Sequence, residues 1–193
     1  MKMTKNKLWQ TGGEGLHPLV EDFTVGDDYI VDNQLLPYDI KASMAHAGML
    51  FKMGIFDAKE LSEVKQGLDK ILSLWEKGRF AIRKDQEDSH TAIEQFLTEN
   101  YGDVGKKIHT GRSRNDQSLV MIRLFMKEKL AAIREAVNLL MAAFREKTEA
   151  WNASPMPGYT HMQKAMPATA GMWLDAFSAA FADFGYALQA VMT

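Results

Sequence analysis

The sequence predicts an all-α fold, in which a small N-terminal helical domain is followed by the start of a long-helix bundle. Apolar residues recur at spacings of three and four over most of the chain, as they do on one face of a helix. Only five prolines occur in 193 residues, and three of them lie within residues 155–167. Residues 119–151 contain neither glycine nor proline. We therefore expect an N-terminal helical domain over residues 1–116, and the first two long helices of an incomplete bundle over residues 117–193.

The N-terminal domain is predicted to combine an irregular arm with three shorter helices. Residues 1–37 are rich in turn-forming Gly, Asp and Asn, so we expect no regular structure there. From Pro37 the apolar spacing predicts a helix that ends near residue 54. The same pattern predicts helices over residues 58–77 and 89–100.

Two long helices are predicted for the rest of the chain. The stripe over residues 119–151 corresponds to a helix of about 50 Å at about 1.5 Å per residue. After Pro167 the chain is apolar on almost all sides up to Thr193, which favours burial within a bundle. The helical pattern is still running at Thr193, so we expect the chain to be a piece of a larger protein.

Composition excludes several classes of function. The net charge of −2 argues against general nucleic-acid binding, which requires a broad basic face. The absence of cysteine excludes disulfides and thiolate chemistry. No apolar run approaches the ~18 residues of a membrane span, and the first residues do not resemble a signal peptide. We expect a cytoplasmic protein with no nucleic-acid or membrane partner.

A cationic segment, KKIHTGRSRNDQ at residues 106–117, interrupts the helical pattern before the long helix. If Asp116 or Ser118 caps that helix, the segment lies at its N-terminus, where backbone N–H groups and the helix dipole favour an anion. Its polar side chains include those of Arg112, Ser113, Arg114 and Asn115. The segment is interpreted as an anion-binding site, or alternatively as a solvated helix entry.

A second polar segment, residues 155–164, connects the two long helices and contains His161. Histidine is a common proton-transfer group, although a single loop histidine is more often an ordinary polar residue. The intervening helix separates the two segments, so a shared site would require more than one copy of the chain. His90 and Glu94, four residues apart, are interpreted as a surface pair. No His, Asp or Glu set has a convincing metal-ligand spacing.

Five sequence segments carry a resemblance to a known family. They are HTGRSRNDQ at 109–117, GYTHMQKAMP at 158–167, EDSHTAIE at 87–94, DIKASMAHA at 39–47 and KLW at 7–9. These segments resemble the argininosuccinate lyase family of the fumarase/aspartase superfamily, and along the chain they follow the family's order. The resemblance covers nearly the whole chain.

The resemblance implies an all-α carbon–nitrogen lyase of arginine biosynthesis that splits argininosuccinate into arginine and fumarate without metal or cofactor. It also implies a homotetramer whose active sites combine three subunits. His161 is the implied catalytic residue, which serves one of the proton transfers of the elimination directly or by orienting another group. The implied substrate contacts are Ser43, His90, Ser113, Arg114, Asn115 and Thr160.

Several departures from the family pattern concern substrate detail. Met166 replaces a usual Gln, Ala42 replaces a usual Gly, and residues 171–173 replace a more polar stretch. The family's third signature, a loop with the proton-abstracting serine, is absent, so this chain alone is expected to be inactive. Two alternatives stay open: a non-catalytic helical protein for oligomerisation or small-anion binding, and another superfamily lyase acting on adenylosuccinate or aspartate.

Overall fold

The computed structural model describes residues 17–192, which form seven α-helices, one short 3₁₀ helix and one two-stranded sheet. The helices are α1 (Pro18–Val25), α2 (Asp28–Lys52), α3 (Ala58–Glu76), α4 (Ser89–Tyr101), α5 (Asp103–Lys107), α6 (Arg114–Trp151) and α7 (Ala170–Met192). The strands are β1 (Pro155–Thr160) and β2 (Gln163–Thr169), and the 3₁₀ helix is Lys84–Gln86. The predicted all-α class is confirmed, with one small hairpin added. The KLW segment at residues 7–9 lies outside the described residues.

The chain divides into two compact units between Phe125 and Met126, within α6. In the first unit, α2, α3 and α4 pack around one apolar core. Its buried side chains are those of Leu36, Ile40, Ala47, Leu50, Phe56, Val64, Leu68, Ile71, Ile82, Ala92, Ile93, Leu97 and Ile108. The first turns of α6 join this unit, where Phe125 packs edge-on against Tyr38 with ring centroids 5.6 Å apart.

The helices predicted over residues 58–77 and 89–100 are confirmed as α3 and α4. They could be predicted because the residues that cap them are close in sequence. Asp57 and Glu60 form a capping box at the start of α3, where the Glu60 N–H donates to Asp57 Oδ1 at 2.8 Å. Asp88 caps α4 by accepting from the Thr91 N–H at 2.8 Å. Such contacts join residues three apart, so the sequence alone can reveal them.

The irregular structure predicted for residues 17–37 is wrong. Pro18 occupies the first turn of α1, and the Leu19 N–H donates to His17 Nδ1 at 3.3 Å. Helix α2 begins at Asp28, which is nine residues before the predicted start, and it continues through Pro37. The sequence predicts a helix start at Pro37, because an interior proline normally breaks a helix.

A tertiary contact explains how α2 tolerates Pro37. Proline has no backbone N–H, so the carbonyl of Asn33, four residues earlier, loses its helical donor. That carbonyl accepts a hydrogen bond from Nε1 of Trp75 in α3, at 3.0 Å. A donor from another helix therefore satisfies the carbonyl that proline leaves free.

The second unit contains the rest of α6, the hairpin and α7. Phe144 in α6 stacks against Phe177 and Phe181 in α7, with centroid separations of 6.0 Å. The predicted long helices are confirmed, whereas the connection predicted as a loop is an antiparallel hairpin. No helix within residues 17–192 is long and apolar enough to cross a bilayer.

Candidate functional site

The cationic segment continues directly into α6, which begins at Arg114. The backbone N–H and hydroxyl of Ser113 donate to Asp116 Oδ2 at 2.8 and 3.0 Å. The Asp116 N–H lies 3.3 Å from Ser113 Oγ, which accepts from it. The expected cap, Asp116 or Ser118, is therefore wrong: Ser113 caps the helix, and Asp116 supports the cap from the first turn. The hydrogen bonds to Ser113 hold the pKa of Asp116 below its ordinary value.

Arg114 forms hydrogen bonds and ion pairs with residues of its own unit. Its Nη1 donates to Asp88 Oδ2 at 2.5 Å, and its Nη2 donates to Thr91 Oγ1 at 2.9 Å. Glu87 lies 3.9 Å from the same Nη1. The guanidinium thus ties the start of α6 to the start of α4.

Arg112 has a different environment. Its Nη2 donates to Ser43 Oγ at 3.0 Å, whereas its buried Nε has no hydrogen-bond partner among the described residues. Burial lowers the pKa of this guanidinium, and the charges of Asp39 and Asp116 oppose that shift. Arg112 therefore brings a positive charge next to Ser43.

A buried polar cluster lies beside the start of α6, with Asp39 at its centre. Asp39 Oδ2 accepts from Ser89 Oγ at 2.7 Å and lies 2.6 Å from His90 Nδ1. Asp39 Oδ1 accepts from Ser43 Oγ at 3.3 Å. Nε2 of His90 lies 3.2 Å from Ser118 Oγ in α6. The cluster joins side chains of α2, α4 and α6.

The proposed surface pair of His90 and Glu94 is wrong. His90 is 3% exposed and pairs with Asp39. Glu94 lies on the same helix but pairs with Nε2 of His109, at 2.9 Å. Spacing along α4 placed the two residues near each other, but partners from α2 and from the cationic segment are closer.

The implied substrate contacts of the first unit differ sharply in exposure. Ser43 is 1% exposed and His90 is 3% exposed, whereas Ser113 and Asn115 are exposed. The unit therefore presents the Asn115 amide at the start of α6, next to a buried acid–imidazole cluster, whereas the Ser113 hydroxyl already donates to Asp116. An exposed amide can donate hydrogen bonds to carboxylates.

His161 and Thr160 belong to the hairpin of the second unit, and both are exposed. Thr160 pairs with Gln163, so His161 and Met162 form a two-residue turn. Their φ angles are 48° and 62°, as in a type I′ turn, which normally favours Asn and Gly. Strained backbone of this kind is often concentrated at functional positions. The structure thus places His161 at the tip of a tight hairpin.

Residues 17–192 hold no group of three or more His, Asp or Glu side chains placed to bind a metal ion. The buried Asp39 and His90 use their polar atoms on each other and on serine hydroxyls.

The profile of the lyase family matches residues 19–192, almost all of the described chain. The chain belongs to this lyase family. The matched range includes both the buried cluster and the hairpin.

Curated relatives of this lyase chain are argininosuccinate lyases from bacteria. The enzyme of Thermotoga neapolitana is 43% identical over 177 residues, which cover 92% of this chain and 44% of the relative. The enzyme of Xanthomonas axonopodis pv. citri is 42% identical over 178 residues, which cover 92% of this chain and 41% of the relative. The chain thus spans less than half the length of these relatives.

Solved structures of lyases share the fold. EDDS lyase in complex with formate matches with a TM-score of 0.72 and 26% identity, over 93% of this chain and 35% of that one. A fumarate lyase:delta crystallin from Brucella melitensis, bound to cobalt, has a TM-score of 0.73 and 20% identity over 92% of this chain and 43% of that one. These similarities confirm the predicted fumarase/aspartase-like fold.

Three members of the cluster, Asp39, Ser89 and Ser118, are not among the site residues predicted from the sequence, where Ser118 is named only as an alternative helix cap. Asp39 and Ser43 are four residues apart on one helix, and Ser89 precedes His90 directly. That spacing was the available signal. It could not show that the two segments meet, because 50 residues separate Asp39 from Ser89.

Proposed function

We propose that this chain is part of an argininosuccinate lyase, which cleaves argininosuccinate into arginine and fumarate by β-elimination in arginine biosynthesis. The observation that carries the proposal is the 42–43% identity to argininosuccinate lyases across 92% of the chain. The exposed Asn115 amide at the start of α6 supports it, because the succinyl part of the substrate carries two carboxylates.

The proposed substrate contacts fall into two groups. Ser113 and Asn115 are exposed at the N-terminus of α6, where the Asn115 amide and backbone donors suit a carboxylate, and the Ser113 hydroxyl would exchange Asp116 for the substrate. Thr160 is the proposed contact on the hairpin. Arg114, Ser43 and His90 complete the set; Arg114 already donates to Asp88 and Thr91, and Ser43 and His90 lie in the buried cluster.

His161 is the proposed catalytic residue. β-Elimination removes the proton next to a carboxylate, stabilises the resulting aci-carboxylate and protonates the departing guanidinium. An imidazole can serve in one of these proton transfers because it accepts or donates a proton near neutral pH. The exposed hairpin tip leaves the His161 ring available to a substrate.

The proposed assembly is a homotetramer in which different copies complete one site. In the chain, the 38-residue helix α6 separates Asn115 from His161. The family resemblance implies active sites that combine several subunits. We therefore assign Ser113 and Asn115 of one copy, and Thr160 and His161 of another, to the same substrate. The proposed enzyme is cytoplasmic, uses no metal or cofactor, and binds neither nucleic acid nor membranes.

A substrate panel tests the proposed function. The full reading frame that encodes the chain would be expressed, and fumarate release would be followed with argininosuccinate, adenylosuccinate and aspartate. We expect release from argininosuccinate at a kcat/KM at least a hundredfold above the others. Preference for adenylosuccinate or aspartate would assign a different superfamily lyase. Substrate binding without turnover of any of the three would favour a non-catalytic protein.

A further inference from the structure

We propose that Asp39 is a positioning residue, which fixes the His90 ring in the tautomer protonated at Nδ1 and holds the Ser43 hydroxyl. The inference rests on the proposed lyase function, because His90 and Ser43 are proposed substrate contacts. It assigns a role to Asp39 and predicts a tautomer of His90 that can be measured directly.

Burial of the Asp39 carboxylate is unfavourable unless its oxygens accept hydrogen bonds. The side chain is completely buried, and a carboxylate removed from water needs compensating donors. Oδ2 has donors in Ser89 and His90 at 2.7 and 2.6 Å, and Oδ1 has a donor in Ser43 at 3.3 Å. All three of these groups are side chains, and two of them are proposed substrate contacts.

The tautomer of His90 follows from what its neighbours can donate. A carboxylate oxygen accepts but cannot donate, so the 2.6 Å contact requires a proton on Nδ1 of His90. In the neutral ring Nε2 then carries the lone pair, and Ser118 Oγ at 3.2 Å can donate to it. One buried carboxylate therefore decides which nitrogen of His90 is available as an acceptor.

The hydroxyl of Ser43 is fixed by the same carboxylate. Arg112 Nη2 donates to Ser43 Oγ at 3.0 Å, so the hydroxyl proton must point elsewhere. Asp39 Oδ1 is the acceptor that receives it. The orientation of Ser43 thus depends on a donor from the cationic segment and an acceptor from its own helix.

Asp39 is not needed merely to hold α2 against α4. Asp32, seven residues earlier on α2, already accepts the Ser89 N–H at 2.9 Å and so joins α2 to the start of α4. Asp88 satisfies the Thr91 N–H of the same helix. Asp88 also accepts from Arg114, so Asp32 is the carboxylate here that accepts from a backbone donor, whereas Asp39 binds side chains that have their own hydrogen-bonding functions. This difference provides a matched control for the test.

Asp39→Asn and Asp32→Asn are the variants to compare in the full-length enzyme. An asparagine at position 39 offers one acceptor and one donor, so its amide nitrogen faces either His90 or Ser43. The exchange also removes the negative charge that favours a proton on Nδ1. In a Ser-His-Asp triad the corresponding exchange leaves the imidazole in the wrong tautomer.

Solid-state ¹⁵N spectra of sedimented enzyme labelled in histidine would report the ring nitrogens, with His90→Gln assigning the His90 signals. We expect the wild type to show a protonated Nδ1 at His90. Asp39→Asn should lower the Nδ1–H population at least twofold and kcat at least tenfold. Asp32→Asn should keep the tautomer and change kcat less than twofold.

Three results would overturn the proposal: a wild-type His90 protonated only at Nε2, an Asp39→Asn enzyme with both readouts unchanged, or equal losses in both variants. If Asp39→Asn does not fold, the wild-type spectrum still decides the tautomer. If the wild type releases no fumarate from argininosuccinate, the proposed function fails, whereas the spectra continue to test Asp39 independently.

Discussion

Nη1 of Arg114 lies 2.5 Å from Oδ2 of Asp88, so the second arginine of the cationic segment is held by the helix beside it. The sequence predicts that both Arg112 and Arg114 belong to an anion-binding segment. The structure separates them: Arg114 joins α6 to the cap of α4, and Arg112 donates to Ser43. Substitution of Asp88 should therefore remove a contact of Arg114, whereas substitution of Ser43 should remove a contact of Arg112.

Asp88→Asn should lower the free energy of unfolding by about 1–2 kcal/mol, because a partly buried charged hydrogen bond to Arg114 is lost. Asparagine is as good an N-cap as aspartate, so the cap of α4 should survive. Urea unfolding followed by circular dichroism measures the change. Asp22→Asn is the control, since the Asp22–Lys84 pair is largely exposed and should matter little. Equal losses in the two variants would contradict the prediction.

Gly105→Ala should destabilise the protein by about 1–3 kcal/mol, as overpacking typically does. A Cβ at position 105 would lie 2.4 Å from the backbone nitrogen of Thr98 and 2.5 Å from the carbonyl carbon of Leu97. Both atoms are backbone, so α4 and α5 would have to move apart. Thermal unfolding measures the effect.

Gly48→Ala is the matched control for Gly105→Ala. A Cβ at position 48, inside α2, would meet no atom within 4 Å. Because glycine disfavours a helix interior, this substitution should stabilise the protein by about 0.5–1 kcal/mol. A stabilising Gly105→Ala would show that α4 and α5 are not in close contact at this point.

His46 should make the protein less stable as the pH falls below about 6.5. Burial, followed by the charge of Arg112, lowers the pKa of His46 in the folded state. Between about 6.5 and that lower value, the unfolded state binds a proton that the folded state does not. The stability that depends on a neutral His46 is therefore fully present above about pH 6.5, and it decreases as the pH falls toward the pKa of His46 in the folded state.

Thermal unfolding of the wild type and of His46→Gln between pH 8 and pH 5, about three pH units around the ordinary histidine value, tests this assignment. Glutamine can still donate to the Thr110 carbonyl, which lies 3.0 Å from His46 Nε2. The variant should lose less stability on acidification than the wild type. An unchanged slope in His46→Gln would contradict the assignment.

Asn115→Ala and His161→Asn should each lower kcat/KM for argininosuccinate by at least a hundredfold in the full-length enzyme. The first removes an amide donor at the start of α6, and the second removes the imidazole from the hairpin tip. Asparagine tolerates a positive φ, so His161→Asn should leave the turn at φ 48° intact. Circular dichroism should match the wild type. Near-normal turnover in both variants would refute the assigned contacts.

The sequence by itself determined the helices whose signals are local. The stripe over residues 119–151 predicted most of α6, and the acidic residues before position 89 predicted the start of α4. Caps and apolar spacing join residues three or four apart, so they can be read without knowing the fold. The motifs at 109–117 and 158–167 also indicated the lyase family, which the profile match confirms.

Only the tertiary structure decided the features that depend on distant partners. Pro37 lies inside α2 because Trp75, from another helix, satisfies the Asn33 carbonyl that the proline leaves free. His90 pairs with Asp39, 51 residues away, instead of with its helical neighbour Glu94. Local spacing shows which groups share a helix face but not which helix will cover that face. For buried polar groups, that packing determines the hydrogen-bond partners and therefore the chemistry available to them.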